Sequence, residues 1–277
     1  MFHALITELS ALPQVEAIAL GGSRTGANYD EKSDYDVYLY CTASVPESLR
    51  REILSKYCSY MEIGNHFWEP EDNCTLRSGV DMDILYRDLD DFTLDVASVV
   101  EECNPRNGYT TCMWHNLLTC KILHDRDGRL STAKKRFDIP YPDRLRDNIL
   151  ERNMKLLEGT MPAYSGQILK AAGRNDAVSI NHRISAFLES YFDILFALNR
   201  QTHPGEKRLM SLTRERCAIL PEYFEENLNR LFSHMFTQPE KLDDDLKQIV
   251  SALKKILSCN ETPLAKFHHT WYNVHSY

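Results

Sequence analysis

A long apolar run is the first thing missing from this chain. No window approaches ~18 consecutive apolar residues, so no membrane-crossing helix is expected. A Cys-x-x-Cys pair is missing too. Cys41, Cys58, Cys74, Cys103, Cys112, Cys120, Cys217 and Cys259 are scattered, which leaves a zinc site unsupported. Cys112 and Cys120 share a face if that stretch is helical, and core packing is the simpler reading of both. A basic balance is also lacking: the net charge is −8. A protein built to hold a long nucleic acid shows a basic face or a high pI, so DNA or tRNA is disfavoured as a partner. The first ten residues, MFHALITELS, lack the basic start and apolar stretch of a secretion signal. A reduced, cytoplasmic protein is therefore expected. Internal repeats and low-complexity tracts are absent as well.

What is present is an ordinary globular composition, 43% apolar and 26% charged over 277 residues, enough for two domains with real cores. The informative stretch is Gly21 to Tyr40, GGSRTGANYDEKSDYDVYLY. An apolar strand, Val15 to Leu20, stops at Gly21 and Gly22, where the backbone can turn sharply and leave room for a ligand. Ser23 adds a hydroxyl and a backbone N–H suited to a phosphate oxygen. Arg24 follows directly, a candidate phosphate contact or the partner of a neighbouring acid. Asp34 and Asp36 then stand two apart on a second strand, so period-two geometry puts both carboxylates on one face. Paired carboxylates repel unless a cation sits between them. Mg²⁺ takes one or two carboxylates and completes its octahedron with water and substrate phosphates. A phosphate turn beside a carboxylate pair suits nucleotidyl transfer from a triphosphate.

Gly21-Gly22-Ser23 followed by Asp34-Tyr35-Asp36 resembles the signature of the nucleotidyltransferase superfamily that includes DNA polymerase beta, the CCA-adding enzymes and the antibiotic nucleotidyltransferases. The resemblance implies a third carboxylate on a later strand. In GVDMDILYR, Gly79 to Arg87, it falls on Asp83, with Asp81 as the fallback and Glu62 in YMEIGN as a weaker candidate. It also implies a lysine from the helical domain on the triphosphate, which lands on Lys207 in HPGEKR. Asp34, Asp36 and Asp83 would then be both the catalytic and the metal residues, and Gly21, Gly22, Ser23, Arg24 and Lys207 the nucleotide contacts. Two Mg²⁺ ions and ATP, or another nucleoside triphosphate, are the implied cofactor and substrate.

Along the chain, helices are expected over Phe2 to Leu12, Pro46 to Met61, Leu89 to Cys103, Tyr109 to Leu123 and Leu130 to Arg136. Met61 to Phe67 reads as a strand and Trp68 to Ser78 as a polar loop. From Asp143 onward the pattern is helical throughout. Asn175 to Asn199 is the longest helix, with Ile180, Ile184, Phe187, Leu188, Tyr191, Ile194, Leu195 and Leu198 in one stripe. The break at Asn104 to Gly108 suggests a catalytic domain over 1–104 and an α-helical bundle over 105–277. The expected class is therefore α+β, a nucleotidyltransferase domain with a small mixed sheet followed by the bundle. That layout is similar to the antibiotic nucleotidyltransferases.

Other residues read more plainly. Arg87 fits a salt bridge and His182 a hydrogen-bonded helix position. His268, His269 and His275, near Trp271, match no firm zinc spacing. The expected activity is transfer of a nucleoside monophosphate to a hydroxyl of a small acceptor such as an antibiotic, releasing pyrophosphate. Adenylylation of a protein and a catalytically inactive nucleotide-binding module remain alternatives, and a polynucleotide-modifying enzyme is disfavoured by charge. The acceptor, the nucleotide and the oligomeric state are not written in the sequence.

Overall fold

The computed structural model describes residues 1–25, 33–67, 69–159, 161 and 163–260. It is an α+β protein that divides into two compact units, 1–98 with 113–139, and 99–112 with 140–277. This differs from a single cut at 104/105, because residues 113–139 return to the first unit.

The first unit opens with α1 (Phe2–Ser10), β1 (Val15–Gly21) and β2 (Tyr35–Cys41). It continues through α2 (Glu47–Ser55), β3 (Cys58–Asn65), β4 (Glu71–Leu76), β5 (Asp81–Arg87) and α3 (Leu89–Val100). It closes with α4 (Cys112–Thr119), β6 (Lys121–Asp125) and α5 (Arg129–Phe137). The six strands form one mixed sheet in the order β3-β4-β5-β2-β1-β6. Only β2 and β5 run parallel; the other neighbours are antiparallel.

One face of the sheet is the core. Ile18, Leu20, Val37, Leu39, Cys74, Leu76, Met82 and Ile84 pack there with Leu5 and Leu9 of α1 and Ile53 and Leu54 of α2. Alternation does the sorting: Val37 and Leu39 go inward, so Asp36 and Tyr38 face the other way. The start of α3 is fixed by Asp88, whose Oδ1 accepts from the N–H groups of Asp90 and Asp91 at 2.8 and 3.0 Å.

Three sequence expectations are corrected here. The stretch read as a loop, Trp68 to Ser78, contains β4, whose inward positions are Asp72, Cys74 and Leu76; Trp68 itself lies outside the described residues. A charge at the first inward position hides the alternation. Asp72 is fully buried and is held by Arg50 at 2.5 Å, Tyr86 at 2.7 Å and the Gly64 N–H at 2.9 Å, which offset its desolvation. The helix expected over Pro46 to Met61 stops at Ser55 and β3 starts at Cys58. Tyr57 and Met61 reach the same core from the turn and the strand. The helix expected over Tyr109 to Leu123 is α4 followed by the edge strand β6, a short KILHD that only its ladder with β1 identifies.

The second unit is helical: α6 (Asp143–Leu157), α7 (Tyr164–Ala172), α8 (Ala177–Leu198), α9 (Leu209–Arg216), α10 (Phe224–Thr237) and α11 (Leu242–Cys259). Asp176 caps α8, accepting from the Ser179 N–H at 3.1 Å and its hydroxyl at 2.6 Å. The stripe expected on this helix is buried at Ile180, Ile184, Phe187, Tyr191, Ile194, Leu195 and Leu198, and Phe192, Asp193 and Phe196 are buried too. Its second half is thus enclosed all round.

Candidate active site

The Gly21–Gly22 turn, Asp36 and Asp83 meet at one end of the sheet. In the parallel β2–β5 ladder Asp36 is the register partner of Asp83, and in the antiparallel β1–β2 ladder it is the partner of Gly21. Asn73 of β4 is opposite Asp83, and Glu62 of β3 is opposite Asn73. Register neighbours share a face and stand about 4.8 Å apart in the hydrogen-bonding direction. A single row, Glu62-Asn73-Asp83-Asp36-Gly21, therefore crosses five strands on the face opposite the α1/α2 core.

The glycines make that approach feasible. Gly22 has φ +63°, and a Cβ there would fall 1.7 Å from Asp36 Oδ2. The Asp36 carboxylate occupies the volume that any other side chain at position 22 would need. Gly21 is the buried last residue of β1, and its Cβ would meet the Tyr38 ring at 2.2 Å. Ser23 is exposed and opens a one-turn 3-10 helix to Thr25, whose N–H and hydroxyl both donate to the Gly22 carbonyl, at 3.3 and 2.9 Å. The turn is thus closed by its own backbone with Ser23 on its outside.

The remaining predicted residues are placed as follows. Asp34 is exposed and lies before the first residue of β2, outside the ladder. Asp81 is opposite Thr75, one row beyond Asp83, and accepts from the Thr75 hydroxyl at 2.7 Å. Glu62 is two strands away from Asp83. The Tyr60 hydroxyl at 2.6 Å and the Asn65 amide at 3.2 Å hold its carboxyl below the usual range. Arg24 donates from Nε to the Ser33 carbonyl at 2.6 Å and lies 3.9 Å over the Tyr35 ring, which stacks on Phe2 at 4.1 Å. It ties the end of the turn after β1 to the start of β2. Arg87 grips Glu69 with two bonds of 2.7 Å and covers the Tyr38 ring at 4.2 Å, the salt bridge expected of it. Lys207 belongs to the second unit, exposed in the turn before α9. His182 is exposed on α8. His268, His269, His275 and Trp271 lie outside the described residues.

Among the described residues no three His, Cys, Asp or Glu side chains come close enough to share a metal ion. The expected three-acid cluster is, in this geometry, the pair Asp36 and Asp83. That pair fits Mg²⁺, a hard cation that takes one or two carboxylates and fills its shell with water and phosphate. The Gly22 backbone lies directly against the Asp36 carboxylate, at the same end of the sheet.

Sequence reasoning missed the polar frame of this row. Asn73 Nδ2 donates to Asp83 Oδ1 at 2.8 Å, and Asn65 Nδ2 to Asn73 Oδ1 at 2.6 Å. The one local signal for Asn73 is the Cys74 and Leu76 half of the alternation in EDNCTL, which Asp72 interrupts. One row along, Asn116 of α4 donates to the Tyr38 hydroxyl at 2.9 Å, and burial pushes that phenol up, keeping it neutral. Burial first, then Asp83 and Glu69, pushes the Glu71 carboxyl up. A cavity of about 460 Å³, lined among others by Glu47, Arg50, His66, Tyr86 and Arg87, opens at the other ends of β2 and β5. Its lining includes Glu71, one row from Asp83, but neither Asp36 nor Asp83.

Residues 109–209 match the model of a family described as a domain of unknown function (DUF4037). No curated protein matches the chain. Among solved structures, a nucleotidyltransferase-like protein from Exiguobacterium sibiricum 255-15 is 11% identical with a TM-score of 0.43, over 97% of this chain and 77% of that one. An aminoglycoside 6-adenyltransferase from Bacillus subtilis is 11% identical with a TM-score of 0.28, over 99% and 97%. A Thermotoga maritima CCA-adding enzyme complexed with tRNA is 12% identical with a TM-score of 0.28, over 92% and 80%. These are the kinds of protein that the motifs resemble. At such identities and TM-scores the likeness carries no activity to this chain.

Proposed function

We propose that this protein is a Mg²⁺-dependent nucleotidyltransferase that moves a nucleoside monophosphate from a triphosphate, AMP from ATP in the first instance, onto a hydroxyl of a small acceptor. The observation that carries the reading is the register that sets Asp36 beside Asp83 and against the Gly22 turn. Asp36 and Asp83 would hold the metal, with Asp34 at the entrance to β2. The backbone after Gly22 and the Ser23 hydroxyl would hold phosphate oxygens, aided by Arg24. When bound, the metal offsets the triphosphate charge and makes the α-phosphorus a better electrophile. The acceptor oxygen bonds to that phosphorus as its bond to the bridging oxygen breaks, and pyrophosphate leaves. The acceptor's proton passes to a nearby carboxylate or water. The acidic balance of the chain favours a small acceptor over a polynucleotide.

The test is pyrophosphate release with Mg²⁺, each of four nucleoside triphosphates and a panel of hydroxyl-bearing small molecules that includes aminoglycosides and lincosamides. Acceptor-dependent release with one nucleotide is expected. Label from ATP appearing on protein in a lysate would move the acceptor to the protein class. Triphosphate binding without any release would leave only an inactive module.

Gly22→Ala tests the turn. The positive φ alone costs about 1–2 kcal/mol of stability. The new methyl also evicts the Asp36 carboxylate, and a displacement near 1 Å costs about a hundredfold in rate. Turnover is expected to fall far more than thermal stability; equal losses in both would make the glycine merely structural.

A further inference from the structure

The row of polar side chains behind Asp83 has a direction. A carboxylate accepts and does not donate, so Asn65 must turn its NH₂ toward Glu62 Oε2. The same NH₂ reaches Asn73 Oδ1, so the Asn73 oxygen faces Asn65 and its NH₂ faces Asp83 Oδ1. Glu62 is itself fixed from its other oxygen by the Tyr60 hydroxyl. The order Tyr60, Glu62, Asn65, Asn73, Asp83 therefore runs across three strands with each amide held in one orientation. Among the described residues no hydrogen bond reaches Asp83 Oδ2, so one oxygen of that carboxylate is fixed and the other is left open.

Resting on the nucleotidyltransferase reading, we infer that Asn73 is the positioning residue of the site: oriented by Glu62 through Asn65, it holds Asp83 Oδ1 and reserves Oδ2 for the divalent cation. A donor on Oδ1 stops the carboxylate from rotating and aims its other oxygen, as the outer partner of a metal ligand does. The fixed orientation assigns Asp83 to the metal-ligand role.

The experiment measures Mn²⁺ affinity by electron paramagnetic resonance, with a non-hydrolysable ATP analogue present, for wild type, Asn73→Leu, Asn65→Leu, Asp83→Asn and Asp36→Asn, each checked by thermal melting. Loss of an outer partner of a metal ligand costs about 10- to 100-fold in metal affinity. Asn73→Leu is expected in that range and Asn65→Leu at a smaller loss, because Asn73 keeps its donor but loses its orientation. If Asn73→Leu does not fold, Asn73→Ser and Asn65→Leu carry the same comparison. Wild-type Mn²⁺ affinity in the folded relay variants, with Asp36→Asn and Asp83→Asn impaired, overturns the positioning role and leaves the enzyme reading standing. Wild-type affinity in all of them overturns the reading itself.

Discussion

Asp36→Asn is expected to stop pyrophosphate release while the protein melts within about 3 °C of wild type. A metal ion is worth several kcal/mol to such a transition state, and each ~1.4 kcal/mol is a factor of ten, so the loss is about a thousandfold or more. The side chain is only partly buried, the substitution keeps its shape, and β2 is held by backbone ladders on both sides. Removing one of two neighbouring carboxylates also relieves their repulsion. Asp81→Asn is the informative counterpart. Asp81 stands one row from the pair and is engaged by Thr75, so its rate is expected within about threefold of wild type, the scale of an ordinary surface change. A full rate in Asp36→Asn, measured by pyrophosphate release on folded protein, would dismiss the site. A dead Asp81→Asn beside an active Asp83→Asn would move the third acid one row down.

Much of this arrangement is legible in residues whose local signals agree. VEAIALG is apolar, ends in glycine and forms a strand buried along its length. SDYDVYLY alternates, and the alternation alone sends Asp36 to one face and Val37 to the other. Which acid joins Asp36 is not a local property. Asp81 and Asp83 share a face of β5, and only the parallel register decides that Asp83 is the neighbour. β4 escaped because Asp72 sits where an apolar residue would announce the strand, and its stabilising partners Arg50 and Tyr86 lie 22 and 14 residues away. With β4 hidden, Asn73 could not be placed beside Asp83. β6 escaped for a related reason, since an edge strand of five residues draws its identity from β1.

In the second unit the largest effect expected is on stability against pH, through Asp193. This carboxyl on α8 is 1% exposed. It accepts from the Thr110 N–H at 3.0 Å, the Thr110 hydroxyl at 2.6 Å and the Asn153 amide at 3.0 Å. Those donors favour the charged form, but burial opposes it more strongly and pushes the carboxyl up from 3.8 to about 7. Between these values the folded protein keeps a proton that the unfolded chain has released. Unfolding then releases a proton, so stability falls as pH rises from about 4 to about 7 and levels off above. A shift of this size is worth about 4 kcal/mol across the window. Asp193→Asn cannot titrate, and the site can adapt to it. Asn153 Oδ1 has no hydrogen-bond partner among the described residues and could turn toward the new NH₂, while the Thr110 hydroxyl can reverse. Urea unfolding from pH 5 to 8 is therefore expected to show a falling profile for wild type and a flatter one for Asp193→Asn, the difference cancelling the histidines common to both. Asp193→Ala removes all three bonds, leaves a void and is expected to cost about 3 kcal/mol or more at pH 5. Parallel wild-type and Asp193→Asn profiles would mean that the carboxyl is already ionised at pH 5, with its three donors outweighing its burial.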